Sequence, residues 1–220
     1  MPNFTEMPSR IFKLPKDERG YPIPWFVRQL DDSIDFRVAD GQKLIRAIKE
    51  KRCWVCGEPL GVNLTFVVGP MCGINRTSGE PPSHQDCARW SALNCPFMNQ
   101  PSMVRRECPH INNAKLVENA PGIAITRNPG VTLLWNTREY QTFPDPKGKI
   151  LIHMGEPQSV EWYASGKPAT RTQVLESIET GLILLEKVAS QQEGGLAALE
   201  KYKERFMKYL PPEPEKPIYL

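Results

Sequence analysis

Two pairs of residues in this chain have the types and spacing for chemistry: Cys53 with Cys56, and His84 with Cys87. Thiolate and imidazole ligands in two short pairs, separated by a longer segment, suit one tetrahedral zinc ion. The first pair lies in Cys53-Trp54-Val55-Cys56-Gly57, where the glycine lets the backbone fold back around a metal. The second opens a segment of helical character, and residues three apart on a helix point the same way. The helix dipole at that end also favours anionic thiolates. A CxxC turn, a strand or hairpin, and a helix that supplies the last two ligands follow the order of a treble-clef finger. These residues predict a structural zinc site, with Cys72 competing with His84 for a place in it.

The remaining candidates are Cys72, Cys95, Cys108 and His110. With the first four they number eight, enough for two closed tetrahedral sites; the simpler alternative is free thiols and a surface histidine. Cys95 follows Cys87 by eight residues, about 12 Å along a continuous helix, so those two do not share an ion. Histidine among the ligands disfavours an iron–sulfur cluster. Four protein ligands would close a zinc site, whereas a catalytic zinc keeps a position open. The H-x-E and P-C-x-x-C pattern of zinc deaminases is absent. A treble-clef nuclease needs a further histidine as base near a second, hard-metal site; with His84 on zinc, His110 and His153 remain.

All six cysteines fall between residues 53 and 108, and the opening MPNFTEMPSR leads into no apolar segment of signal-peptide type. Clustered cysteines in a cytoplasmic chain bind metal more often than they cross-link, and no apolar run reaches membrane-span length. Hydrophobic residues at 40% and charged residues at 24% place the chain among globular proteins. Its 22 prolines imply many irregular connections. Net charge is +3, too weak to imply nucleic acid by itself. The basic excess lies with the cysteines: residues 1–115 hold 16 Lys and Arg against 12 Asp and Glu.

These residues need elements to position them. Residues 1–39 alternate prolines, aromatics and charges and read as an extended arm anchored through Trp25 and Phe26. Asp40 is the expected N-cap of a helix over 41–51, which leads straight into Cys53. A strand over 62–68 ends at Gly69-Pro70, and the glycines and prolines of 71–82 predict a loop. Ser83 is the expected cap of a helix over 84–94. Strands at 123–126, 131–135 and 140–143, with two more at 149–153 and 160–163, suggest an antiparallel meander. Thr170-Arg171-Thr172-Gln173 has the form of a capping box at the start of an amphipathic helix. Gly194-Gly195 separates that helix from a second over 196–209, and PPEPEKPIYL ends the chain as a tail.

The expected fold class is therefore α+β: a treble-clef-like zinc core, an antiparallel β-sheet and two C-terminal helices. The expected division is an arm at 1–39, the zinc core at 40–115, sheet and helices at 116–210, and a tail at 211–220.

The segments RGYPIPWFV, DFRV, CWVCGEPLG, PMCGINRTSGEPPSHQDCARWSALNCPF, NPGVTLLW and EWYASGKPATRTQVLESIETGL span nearly the whole chain. In these segments the sequence resembles an uncharacterised family of bacterial, phage and plasmid proteins with a CWVCG…SHxxC zinc-finger-like core. The resemblance implies a cytosolic, zinc-containing protein associated with mobile elements, and brings no catalytic residue with it.

Two functions compete. One is a zinc-finger binding protein that contacts nucleic acid, through Arg52, Arg76, Arg89, Arg105 and Arg106 around the cysteines, or a host protein complex. The alternative is a metal-dependent enzyme acting on nucleic acid or nucleotides, with Asn75, Arg76, Glu80 and His153 as site residues.

Overall fold

A computed structural model of the chain describes residues 4, 6–30, 33–99 and 128–213. Helix α1 (Ser9–Phe12) precedes an antiparallel pair, β1 (Val27–Leu30) with β2 (Ser33–Ala39), and helix α2 (Gly41–Lys49). Then come β3 (Leu64–Val68), α3 (Pro70–Asn75), β4 (Thr77–Ser78), α4 (Gln85–Asn94) and α5 (Pro96–Asn99). The second half carries β5 (Thr132–Thr137), β6 (Tyr140–Pro144), β7 (Ile150–Met154), β8 (Ser159–Ala164) and β9 (Lys167–Pro168). Helices α6 (Arg171–Ala189) and α7 (Gly195–Phe206) follow, the last running into a 3₁₀ turn at Met207–Tyr209.

The architecture is α+β with antiparallel sheets. One sheet has the order β3-β5-β8-β9 and another β4-β7-β6. Phe66 faces Trp135 across the β3–β5 ladder, and Leu133 faces Trp162 across β5–β8. All six residues of β5 are buried, without the alternation of a half-exposed strand, because helices cover both faces. On one face Leu134, Val67 and Tyr163 pack against Ala88 and Ala92 of α4. On the other, Phe66, Leu133, Trp135 and Trp162 meet α3, α6 and α7 in the main core. Indole N–H groups tie this face down: Trp135 donates to Gly155 O at 2.9 Å and Trp162 to Tyr209 O at 2.8 Å.

Several local expectations hold. Asp40 caps α2, its carboxylate accepting from the backbone N–H of Gln42 and Lys43. Thr170 and Gln173 form the reciprocal capping box at the start of α6. Gly194, with φ of 67°, separates α6 from α7.

Others are corrected. The strands do not form a sequential meander: β5 pairs with β3 and β8, whereas β6 pairs with β7 in the other sheet. Each of these sheets draws strands from both the 40–115 and the 116–210 stretches. The 71–82 segment is not one loop, since it contains most of α3 and all of β4. Gly73 allows this close packing: a Cβ there would lie 2.6 Å from Leu133 Cδ2 and Phe206 Cε2. Ser83 is not the cap of α4. His84 holds that position, and Ser83 instead exchanges backbone hydrogen bonds with Thr65 beside β3. The arm is not wholly extended: Ser9–Phe12 is helical, while β1 and β2 keep the extended backbone. The strand expected at 123–126 lies outside the described residues.

Candidate metal centre

The CxxC turn is built by short-range hydrogen bonds. Cys53 N donates to Glu58 O at 2.8 Å, and Gly57 N to Cys53 O at 2.8 Å. Gly57 adopts φ of 76°, a conformation that disfavours residues with a Cβ. A Cβ at Gly57 would also strike the Trp25 ring, 2.5 Å from its Cγ. Trp25 N donates to Val55 O at 2.7 Å, and Phe26 stacks on Trp54 at 5.0 Å, so the arm's two aromatics clamp the turn.

The second pair of ligands arrives through the bridge between Thr65 and Ser83. That bridge, with Trp54 N donating to Pro82 O at 3.1 Å, sets the residue before His84 against the turn. His84 caps α4 and Cys87 lies in its first turn. The Sγ atoms of Cys53, Cys56 and Cys87 and a ring nitrogen of His84 all lie within 4.8 Å of one another. Cys53 and Cys87 are fully buried.

The donor set fits a tetrahedral ion. Zinc bond lengths of about 2.3 Å to sulfur and 2.0–2.1 Å to nitrogen place neighbouring S and N ligands about 3.6 Å apart. His84 Nδ1 lies 3.5 Å from Cys56 Sγ and 4.0 Å from Cys87 Sγ. The other ring nitrogen, Nε2, is 3.0 Å from Pro59 O. Donation from Nε2–H to that carbonyl fixes the tautomer with Nδ1 free to ligate, the usual outer support of a metal-bound imidazole. Backbone N–H groups of Cys56 and His84 point at Cys53 Sγ at 3.5 and 3.4 Å, and so favour its thiolate.

Electrostatics lead to the same end. Burial raises the Cys53 thiol, but hydrogen bonds from Cys56, Cys87 and His84 outweigh it and drive the group far down. Cys87 moves far up, first through its contacts with Cys53 and Cys56 and then through burial. Beside Cys53 and then Cys56, the His84 imidazole is pushed up to about 10. Three sulfurs this close cannot all ionise without a cation among them, and a divalent metal removes the conflict.

Arg10 is a neighbour that the ligand spacing does not reveal. Burial works against its charge, but Asp86 and then Cys87 and Cys56 hold the guanidinium above its ordinary value. It bonds Asp86 at 3.3 Å from helix α1, 43 residues before the first cysteine, and no motif marks it. Ile11 of the same helix packs with Cys53, Val55 and Trp90 around the ligands.

Among the described residues, the further cysteines Cys72 and Cys95 do not join the cluster. Cys72 lies on α3 against the main core, its thiol pushed up to about 11 by burial and then by the charge of Glu80. Cys95 ends α4, and burial raises it too. Cys108, His110, Arg105 and Arg106 lie outside the described residues.

Arg52, Arg76 and Arg89 are engaged with carboxylates. Arg89 grips Glu161 with two bonds, at 2.7 and 2.8 Å. Arg52 pairs with Glu50 and donates to Gly57 O, and Arg76 pairs with Glu156 at 2.8 Å. Asn75, Arg76 and His153 line one cleft; Glu80 is not among its walls.

No protein-family model, curated protein or solved structure matches the chain. Among the described residues, no helix is long and apolar enough to cross a membrane.

Proposed function

We propose that Cys53, Cys56, His84 and Cys87 hold one structural zinc ion in a treble-clef-like core, and that the protein is a non-enzymatic binding module. The convergence of these four ligand atoms within 4.8 Å carries the reading. Three thiols and one imidazole form a soft, four-fold set that leaves no position for substrate. With three thiolates the ion carries one net negative charge, which Arg10 is placed to offset. The ligands link segments far apart in sequence, so the metal's contribution is to folding.

The partner is nucleic acid or a host protein complex, and the motif resemblance supports a mobile-element, cytoplasmic setting. The pairing of Arg52 and Arg89, the two described arginines nearest the cluster in sequence, with carboxylates reduces their availability to phosphates, which makes a protein partner the stronger choice. Elemental analysis tests the metal: one zinc per chain is expected, and a folded, chelator-indifferent protein without metal sinks the reading. Filter binding separates the partners, because phosphate contacts lose affinity steeply with salt. Absence of DNA or RNA binding at low salt leaves the protein partner, to be sought in host lysate.

A further inference from the structure

A cleft of about 470 Å³ opens where α3, β7 and the C-terminal end of α7 meet. We propose that it binds a single nucleotide, the phosphate on a cationic rim and the base on an aromatic wall. This site shares no residue with the metal centre and does not depend on it.

The rim carries three fixed positive charges, Arg76, Arg205 and Lys208, against one carboxylate, Glu156. Glu156 is already divided between Arg76 at 2.8 Å and Lys208 at 3.2 Å, and it accepts from Tyr209 Oη as well. The Arg205 guanidinium has no acidic partner among the described residues. The rim therefore has an unbalanced positive charge that a phosphate would neutralise.

Arg76 is placed there at a conformational cost. It ends α3 with φ of 54° and ψ of 34°, a left-handed position that glycine or asparagine fills more easily. Its Nε donates to Met154 O and one terminal nitrogen faces Glu156, which leaves the other terminal nitrogen available. Partial burial, and then the Arg76 charge, hold His153 below the ordinary imidazole value, so it is a neutral donor and acceptor at pH 7.

The wall argues for a base rather than a bare anion. Tyr202 is 45% exposed, and Tyr209 is half-buried against Trp135 at 5.1 Å. Lys208 already lies over the Tyr209 ring at 4.8 Å, so Tyr202 is the ring left open to stack, and an exposed ring beside a cationic rim is the usual platform for a nucleobase. The volume lies in the small-ligand range of about 300–1,000 Å³. A nucleotide free in solution and one at the 5′ end of a strand present the same chemistry to it.

The test is calorimetric titration of the full chain with AMP, adenosine, inorganic phosphate and a 5′-phosphorylated trinucleotide at low salt. Saturable AMP binding with Kd below about 1 mM is expected, with adenosine and phosphate each at least about tenfold weaker. Arg205→Glu and Tyr202→Ala, both at exposed positions, are each expected to weaken AMP by about tenfold or more while circular dichroism stays unchanged. A trinucleotide at least about tenfold tighter than AMP assigns the cleft to strand ends; equal or weaker binding assigns it to free nucleotide. The proposal is overturned if AMP gives no saturable heat, if phosphate alone binds as tightly, or if both variants bind AMP like the parent.

Discussion

Replacing Gly57 with alanine probes the joint between the N-terminal arm and the CxxC turn. Two costs add. The backbone φ of 76° is left-handed, which for an L residue costs about 1 kcal/mol. The new methyl would also sit 2.5, 2.6 and 2.9 Å from Trp25 Cγ, Cδ1 and Cδ2, and overpacking of this kind costs about 1–3 kcal/mol. The ring has little room to retreat. It meets Trp54 edge-on at 6.5 Å, Arg46 lies over it at 6.0 Å, and its backbone is bonded to Val55. The total expected is about 2–4 kcal/mol. Urea unfolding of the parent, Gly57→Ala, Trp25→Ala and the double variant, all at matched zinc, isolates the steric part. Without the indole, only the backbone cost of about 1 kcal/mol should remain, a coupling of about 1–3 kcal/mol. An equal cost with and without Trp25 would refute the close approach as the reason for glycine.

Cys53→Ser and Cys87→Ser should each bring bound zinc well below one per chain and lower or abolish the melting transition. Structural zinc is worth about 10–16 kcal/mol in small domains, comparable with a whole domain's net stability. Cys72→Ser and Cys95→Ser should retain the parent's metal content in the same elemental assay, since neither thiol enters the cluster. Burial raises the Glu161 carboxyl, but bonds from Arg89, Gln85 and Tyr163 outweigh it and the net shift is downward. Its stabilisation is thus present above the ordinary carboxylate range and lost as pH falls through the depressed value. Glu161→Gln should cost about 1 kcal/mol at pH 7 and flatten the acid limb of a stability–pH curve; an unchanged limb counts against the pairing. Phe206, 2% exposed and stacked on Trp135, should cost about 3–5 kcal/mol on truncation to alanine in denaturant unfolding.

The Cys53, Cys56, His84 and Cys87 cluster is legible because thiolate and imidazole chemistry dictates both residue type and spacing. The Asp40 cap and the Thr170–Gln173 box were legible too, since each is closed by residues two or three apart. The same local rules misread 71–82. Gly73 signals loop by propensity, yet here the glycine admits Leu133 and Phe206 against a helix backbone. Strand pairing lay beyond local reading for a different reason. The strand at 64–68 has its partner at 132–137, and no short-range pattern specifies a ladder closed over that distance. Ser83 has the residue type of a cap, yet its backbone is committed to Thr65, a partner that local sequence does not specify. Arg10 reaches the centre only through tertiary contact, so nothing in its own neighbourhood announces it.

The late arrival of β5 has a consequence during synthesis. Strand β3 reads Leu64-Thr65-Phe66-Val67-Val68 and must wait about seventy residues for its partner, roughly 3–14 s at ordinary translation rates. An apolar strand left single for that long is a template for aggregation. All four cysteine and histidine residues of the cluster, by contrast, have been made by residue 87. Zinc capture on the growing polypeptide would pin one end of that strand through the Thr65–Ser83 bridge before the ribosome delivers its mate. Newly made protein should therefore be most prone to misassembly where zinc is scarce, even if the finished molecule releases its ion slowly.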